Sequence, residues 1–150
     1  MLVLNAGQTS HLLKRIPQFE LSYETISHKK VSSVYDVCIA VPTGKKVLIW
    51  FTFHQKTYAC YIMELNRDKK IVKVTHSDIK SNIQLSLGTI MYATCVTDEN
   101  SGKEKFIVDD ILHYRGINMK KMTTIDKLSA WNECFSHFEK NTPIYSPYLW

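Results

Sequence analysis

The sequence predicts a single α+β protein in which an antiparallel sheet packs against one main C-terminal helix. Short apolar segments bounded by polar turns recur at roughly ten-residue intervals between Val34 and Ile111, which is typical of antiparallel strands. Apolar residues at steps of three and four appear near the C-terminus, as on one amphipathic helix. A chain of 150 residues is long enough to bury a core of its own.

We divide the chain into three parts: an N-terminal arm (residues 1–18), the α+β domain (residues 19–141) and an aromatic tail (residues 142–150). The arm ends near Pro17, and we expect it to be loosely ordered and to pack on the domain or on a partner. The tail, which reads IYSPYLW from Ile144, is expected to enter a groove or to dock on another chain.

The composition is that of a globular protein, with 45% hydrophobic and 22% charged residues. The net charge of +5 permits an anionic partner. The longest apolar run, Val47–Phe53, is too short to span a membrane, and the apolar residues before Asn5 are too few for a signal-peptide core. We therefore expect no membrane partner and no secretion. The four cysteines form no C-x-x-C pair and are expected to be buried free thiols: Cys38, Cys60, Cys95 and Cys134.

The first strands are predicted at Phe19–Ile26 and Val34–Val41. Pro42–Lys46 contains Pro and Gly at positions that suit a tight turn. Val47–Phe53 is continuously apolar, which indicates a strand buried on both faces. Alternation in Thr57–Leu65 predicts the next strand, and a short strand should follow at 71–74.

A hairpin is predicted from Thr89–Val96 and Lys105–Ile111, which are joined by a turn of small and polar residues. The second strand carries adjacent acids, Asp109 and Asp110. Because neighbouring side chains on a strand point to opposite faces, at most one of them should face a site. A short helical turn is predicted at Asp78–Asn82.

The main helix is predicted over Ile125–Lys140, with Thr123 or Thr124 as its cap. Asn141, Thr142 and Pro143 should end it. Its apolar positions would form one stripe against the sheet: Ile125, Leu128, Trp131, Phe135 and Phe138.

Common catalytic motifs are absent from the sequence. Gly44-Lys45-Lys46 lacks the preceding glycine of a phosphate-binding loop, and neither H-E-x-x-H nor G-x-S-x-G occurs. The six histidines have no metal-ligand spacing, so we predict no metal site and expect these side chains to be exposed.

The order of several segments resembles the first half of a nucleotidyltransferase domain: VYDVCIAVPTGKKVLIWF, TYACYIMELNRDKKI, LSLGTIMYATCV, KFIVDDILHYRG and MTTIDKLSAW. The superfamily is that of mRNA capping guanylyltransferases and ATP-dependent ligases, in the divergent form of large DNA viruses. Its members carry a lysine nucleophile in K-x-D-G-x-R, which takes up a nucleotide through a phosphoramidate bond. T-x-L-D-G-E and F-x-x-F-D-x-L strands follow. The resemblance covers about residues 19–140.

The family's first motif falls on Val41–Lys46. Gly44 keeps the glycine and Lys46 keeps the final positive charge. Val41 stands at the nucleophile position, where it cannot form a phosphoramidate, and Thr43 stands at the acid position.

The second motif falls on Thr89–Thr94, with Tyr92 and Thr94 at the acid positions. In the third motif, on Phe106–Leu112, Asp110 is kept. The helix arginine becomes Lys127. The later E-G-x-x-x-K and K-x-K motifs have no counterpart before Trp150.

The resemblance implies a non-catalytic, capping-enzyme-like viral accessory or scaffold protein that needs no cofactor. It would bind RNA or a protein partner, such as a viral transcription, capping or virion component, in the host cytoplasm or the virion. A β-rich interaction or virion structural module unrelated to capping is the alternative. The third interpretation is an active nucleotidyltransferase that uses Lys45 or Lys46 with Asp110, Mg²⁺ and GTP or ATP.

Four Lys-Lys pairs in predicted turns are the candidates for a nucleic-acid-binding surface. The alternative for each pair is an ordinary solvated turn. The candidate residues are Lys29, Lys30, Lys45, Lys46, Lys69, Lys70, Lys120 and Lys121.

Overall fold

A computed structural model of the protein describes residues 1–21 and 42–146. This part of the chain is an α+β structure with one open, mostly antiparallel sheet, so the predicted fold class is confirmed. The strands are β1 (Leu2–Val3), β2 (Lys45–His54), β3 (Thr57–Leu65), β4 (Ile71–Ser77), β5 (Thr89–Thr97), β6 (Glu104–Tyr114), β7 (Ile117–Asn118) and β8 (Ile144–Tyr145). The helices are α1 (Ala6–Leu13), α2 (Ile83–Ser86) and α3 (Thr124–Ser136).

The strand order is β1-β4-β3-β2-β5-β6-β7, and β8 pairs with β6 in parallel. The predicted meander is confirmed for β2-β3-β4 and the predicted hairpin for β5-β6, to which the structure adds the short strand β7. Between these runs the chain crosses by way of α2, so that β5 pairs with β2 instead of β4. The strand β2 consequently lies at the centre of the sheet.

The central strand is buried on both faces, as its continuous apolar sequence predicts. From Val47 to Phe51 no residue is more than 2% exposed. Only Phe53, at 37% exposure, departs from the prediction, because it lies at the end of β2 beside the hairpin turn. A strand with two buried faces requires cover on each side of the sheet.

One face is covered by the C-terminal helix, and we call it the α3 face. Trp131 and Cys134 of α3 belong there to one buried cluster with Val47 and Ile49. The side chain of Thr123 caps the helix by accepting from the backbone N–H of Asp126 at 3.2 Å.

The predicted bounds and stripe of this helix are partly wrong. It ends at Ser136 instead of Lys140, and Ile125 is 79% exposed. Ile125 lies roughly 120° around the helix axis from Trp131, because each residue advances the helix by about 100°. It therefore misses the sheet, although its spacing from Leu128 is helical.

The opposite face is covered by the N-terminal segment, and we call it the arm face. The expectation of a loosely ordered arm is wrong, because residues 1–18 contain β1 and α1. Asn5 and Gln8 form a reciprocal capping box at the start of α1, which satisfies two otherwise free N–H groups. Leu12, at 2% exposure, belongs to the same buried cluster as Leu48 and Trp50.

Several element bounds differ from the predictions. The short helix begins after Asn82, which caps it, instead of running from Asp78 to Asn82. The strand β6 continues to Tyr114. Phe19–Leu21 belong to no strand, and the rest of the predicted strand to Ile26, like the one at Val34–Val41, lies outside the described residues.

Two further expectations concern the cysteines and membranes. Among the three described cysteines, all free, Cys60 and Cys134 are buried as predicted, whereas Cys95 is partly exposed. Burial raises the pKa of the Cys134 thiol to about 12 and that of Cys95 to about 11. Within residues 1–21 and 42–146, none of the helices is long and apolar enough to cross a membrane.

Candidate functional site

A polar cluster on the arm face joins three strands, and we call it the Lys46 cluster (Lys46, Thr94 and Asp109). The Lys46 ammonium donates to Asp109 Oδ2 at 2.8 Å and to Thr94 Oγ1 at 2.5 Å. The Thr94 hydroxyl in turn donates to Asp109 Oδ2 at 2.9 Å. The side chain of Asp109 is only 7% exposed and that of Lys46 is 23% exposed. The buried carboxylate is therefore neutralised and hydrogen-bonded within the cluster.

Strand register and a bulge bring these residues together. Lys46 pairs directly with Thr94 across β2 and β5. In β6 the register shifts, so that Tyr92 pairs with Asp110 while Ala93 pairs with Val108. Asp109 is the extra residue of this β-bulge. A bulge redirects the side chains of its strand, and here it accompanies the turn of Asp109 toward Lys46.

Two lysines meet at Tyr92, Lys46 from strand β2 and Lys69 from the turn between β3 and β4. The Nζ atom of Lys46 lies 5.6 Å from the ring centroid, within the range of cation–π attraction. Lys69 donates to the Tyr92 hydroxyl at 2.9 Å. Its backbone has a φ of +61° in the β3–β4 turn.

Asp110, the acid that the resemblance assigns to the third motif, lies outside the Lys46 cluster. It lines a cleft of about 450 Å³ beside Phe19–Leu21, together with Lys120 and Lys127. Burial raises the pKa of the Asp110 carboxyl, and the charge of Lys127 partly offsets this effect. Asp109 and Asp110 therefore contact different groups. The predicted reason is wrong, however, because the bulge interrupts strand alternation and leaves both side chains on the arm face instead of on opposite faces.

Lys45 lies on the α3 face, opposite Lys46. Its ammonium donates to Glu64 Oε1 at 2.9 Å, and its side chain is 53% exposed. The hydrogen bond with Glu64 raises the pKa of Lys45. The structure therefore does not bring Lys45, Lys46 and Asp110 to a common cleft. Val41, at the family's nucleophile position, lies outside the described residues.

The predicted nucleic-acid-binding lysines do not form one surface. Lys46 and Lys69 meet, and Lys70 adjoins Lys69 in the exposed β3–β4 turn. Lys120 lies at the Asp110 cleft, where it pairs with Glu20, and Lys121 follows it along the chain. Lys29 and Lys30 lie outside the described residues.

An arginine–histidine contact was missed by sequence reasoning. The guanidinium of Arg15, just after α1, donates to His54 Nδ1 at 2.8 Å and to the Phe53 carbonyl at 2.5 Å. It also lies 5.9 Å from the Trp50 ring centroid. Desolvation and the charge of Arg15 lower the pKa of His54. Arg15 and His54 are 39 residues apart, and no local motif connects them.

The expectation that all histidines are exposed is wrong for His113. This residue is 5% exposed, and its Nε2 atom lies 3.0 Å from the carbonyl oxygen of Gln18. It therefore helps to hold the N-terminal segment on the arm face. Across the part of the chain that the structure describes, no group of three or more His, Cys, Asp or Glu residues could hold a metal ion.

Comparison with known proteins does not place the chain in a family. A scan against protein-family models and a search of curated proteins both return no match. Its function is therefore inferred from its residues and their geometry.

Proposed function

We propose that this chain is a non-catalytic protein with the layout of a capping-type nucleotidyltransferase, which serves as an accessory or scaffold protein by binding a protein partner. The partner would be a viral transcription, capping or virion component, met in the host cytoplasm or the virion. The observation that carries the non-catalytic role is that the polar groups of the Lys46 cluster bond to one another. Its one amine is engaged by Asp109 and Thr94 and is not presented to a ligand.

The positions implied by the resemblance support this interpretation. Lys46 from the first motif and Tyr92 and Thr94 from the second meet on one face, beside the third motif at Asp109. The layout is thus compatible with a site whose acids have been replaced. Lys45 is a poor substitute nucleophile, because Glu64 raises its pKa and only a deprotonated amine attacks phosphorus.

The non-catalytic role is tested with radiolabelled GTP or ATP and Mg²⁺, followed by a denaturing gel. We expect no label that survives boiling. A stable labelled band that disappears in Lys45→Ala or Lys46→Ala, but persists in the control Lys56→Ala, would establish an active transferase and overturn the proposal.

Ion pairing on the described surface favours a protein partner over RNA. RNA binding requires basic groups that neutralise phosphates and displace counterions from the nucleic acid, whereas many basic groups here already have acidic partners. Those within 4.0 Å of a carboxylate are the Met1 amine, Lys45, Lys46, Lys73, Lys80, Lys105, Arg115 and Lys120. At the same time, Leu2, Val3 and Val72 are each more than half exposed, and clustered exposed apolar side chains mark protein contacts.

RNA binding is the second candidate, because Lys46 and Lys69 converge on Tyr92. A titration of fluorescent single-stranded RNA against salt separates the two. With a protein partner we expect weak binding that Lys69→Ala barely changes. Tight binding with a steep log–log salt slope, reduced by about one unit in Lys69→Ala, would favour RNA.

A further inference from the structure

Several hydrogen-bond donors surround Tyr61 on the arm face. The rings of His54 and His76 lie beside it, with centroids 6.1 Å and 5.2 Å from that of Tyr61. The Arg15 guanidinium reaches the same place, because it contacts His54 and lies 5.9 Å from the ring centroid of Trp50. The rings of Trp50 and Tyr61 are themselves 6.2 Å apart. We call Arg15, His54, Tyr61 and His76 the Tyr61 cluster.

The Tyr61 hydroxyl is a polar group without a described partner. Tyr61 is only 4% exposed, yet its hydroxyl makes no hydrogen bond to any other described residue. Buried polar groups normally have a partner, because the loss of water is costly. The hydroxyl of Tyr61 is not fully enclosed, unlike that of Tyr114. It is therefore a free donor that a ligand can reach.

The hydroxyl of Tyr61 lies near Arg15. Burial raises the pKa of Tyr61, and the charge of Arg15 partly offsets this rise. Three N–H groups of Arg15 contact His54, Thr52 Oγ1 and the Phe53 carbonyl, and the others have no partner among the described residues. Arg15 thus keeps donors for a ligand beside the hydroxyl.

Arg15 also makes His54 a donor. It donates to His54 Nδ1 at 2.8 Å, and a guanidinium cannot accept a hydrogen bond. The proton of the neutral imidazole must therefore be on Nε2. His54 consequently offers an N–H group at neutral pH without gaining a charge.

The cluster contains no acid of its own. Its guanidinium forms no ion pair with a carboxylate of the described residues. Asp78, the acid whose charge interacts with that of His76, is already paired with the Met1 amine at 2.8 Å. A further imidazole, that of His11 on α1, faces His54. Donors with a positive charge and no carboxylate among them suit a ligand with anionic oxygens.

We propose that the Tyr61 cluster binds a phosphate monoester group. The three terminal oxygens of such a group match three donors, namely the free N–H groups of Arg15, the Nε2 of His54 and the Tyr61 hydroxyl. A phosphodiester of RNA and a carboxylate each present one terminal oxygen fewer and less charge. The cluster recognises the phosphate itself, whether a partner's side chain or a small molecule carries it, and so goes beyond the proposed function.

The test titrates the full chain with phenyl phosphate at about pH 7.5, where an ordinary histidine is mostly neutral and a phosphate monoester carries nearly two charges. The NMR signals of the His54 and Tyr61 rings should shift saturably, with a Kd of about 1 mM or lower. Diphenyl phosphate, a diester, should bind at least about tenfold more weakly.

Two variants and a control locate the site. Tyr61→Phe removes only the hydroxyl and should weaken phenyl phosphate binding about tenfold, as loss of a hydrogen bond to a charged group does. It should not lower the urea midpoint, because that hydroxyl has no described partner to lose. Arg15→Gln should abolish saturable binding. Tyr58→Phe is the control, since Tyr58 is 48% exposed and lies three residues from Tyr61 along β3, on the opposite face.

Absence of saturable binding, equal binding of the monoester and the diester, or an equal loss in Tyr58→Phe would overturn the proposal. Single-stranded RNA that binds more tightly than phenyl phosphate and displaces it would assign the cluster to nucleic acid and would also overturn it.

A phosphoserine peptide identifies the source of the phosphate once binding is established. If it binds at least about tenfold more tightly than phenyl phosphate, while its unphosphorylated form does not bind, the site accepts a phosphorylated side chain of a partner. Comparable affinities would assign the site to a small phosphate ester. Both results support a phosphate site.

Discussion

Lys45 and Lys46 are neighbours in the chain and reach opposite environments. Lys46 points to the arm face and pairs with Asp109, whose side chain is 7% exposed. Lys45 points to the α3 face and pairs with Glu64, whose side chain is 24% exposed. Strand alternation directs the two side chains to opposite faces, and the cover on each face determines how deeply each ion pair is buried. The two lysines were predicted as one basic pair. In the structure Lys46 forms a largely buried ion pair, whereas Lys45 forms an ion pair at the surface.

Removal of the two amines should give the largest difference in stability between the two environments. In Lys46→Ala the Asp109 carboxylate stays buried without its partner, and we expect a loss of about 2–4 kcal/mol, below the roughly 3–5 kcal/mol of a fully buried pair. Lys45→Ala should cost less than about 1 kcal/mol, as surface pairs do. Urea denaturation measures both. Equal losses would show that the cluster is not enclosed in solution.

Gly44 tests how closely the start of β2 approaches β5. A Cβ atom at this position would lie 2.7 Å from the carbonyl oxygen of Cys95 and 2.8 Å from Thr94 Cγ2. We expect Gly44→Ala to cost about 1–3 kcal/mol through overpacking. Gly7→Ala in α1 is the control, because its Cβ would meet only Asn5 Oδ1 at an ordinary 3.5 Å. This control should gain up to about 1 kcal/mol from helix propensity, and a loss of similar size in both variants would contradict the close approach.

Removal of the helix caps tests how much α1 and α3, which cover opposite faces of the sheet, each contribute to stability. Thr123→Ala removes the cap of α3 and Asn5→Ala that of α1, and each should cost about 1 kcal/mol. Thermal unfolding followed by circular dichroism measures both. If Asn5→Ala left stability unchanged, the capping box would not contribute to holding α1 on the arm face.

Acidification should weaken the arm face slightly. The Arg15 guanidinium donates to His54 Nδ1, which requires a neutral ring, and the pKa of His54 is lowered from 6.5. The unfolded chain therefore binds a proton first as pH falls, and stability is lost from about pH 6.5 downward. Other groups facing His54 are His11, His76 and Tyr61.

We expect the free energy of unfolding to fall with pH through this range, and His54→Asn to flatten the dependence because an amide oxygen can still accept from Arg15. The change should be less than that of one fully linked proton. His11→Asn is the control that keeps the Arg15–His54 bond, and it should retain most of the dependence. A wild-type profile as flat as that of His54→Asn would contradict the contact.

The features of this structure that the sequence predicts are those encoded by a few neighbouring residues. Continuous apolar sequence identified β2 as a doubly buried strand, and polar turns located the hairpin of β5 and β6. The capping box of Asn5 and Gln8 is also local, and it was available to predict α1. By contrast, the exposure of Ile125 depends on which side of α3 meets the sheet, a choice that spacing alone leaves open.

The sequence by itself determined an α+β protein with an antiparallel sheet, a strand at Val47–Phe53 with two apolar faces and a C-terminal helix, because periodicity and turn chemistry act over a few residues. Tertiary structure alone decided that β5 pairs with β2, and that a bulge accompanies the turn of Asp109 toward Lys46. It also decided that the amine of Lys46 is engaged by Thr94 and Asp109. These features depend on strand order and register, which are set by burial across the whole sheet and not by neighbours in the chain.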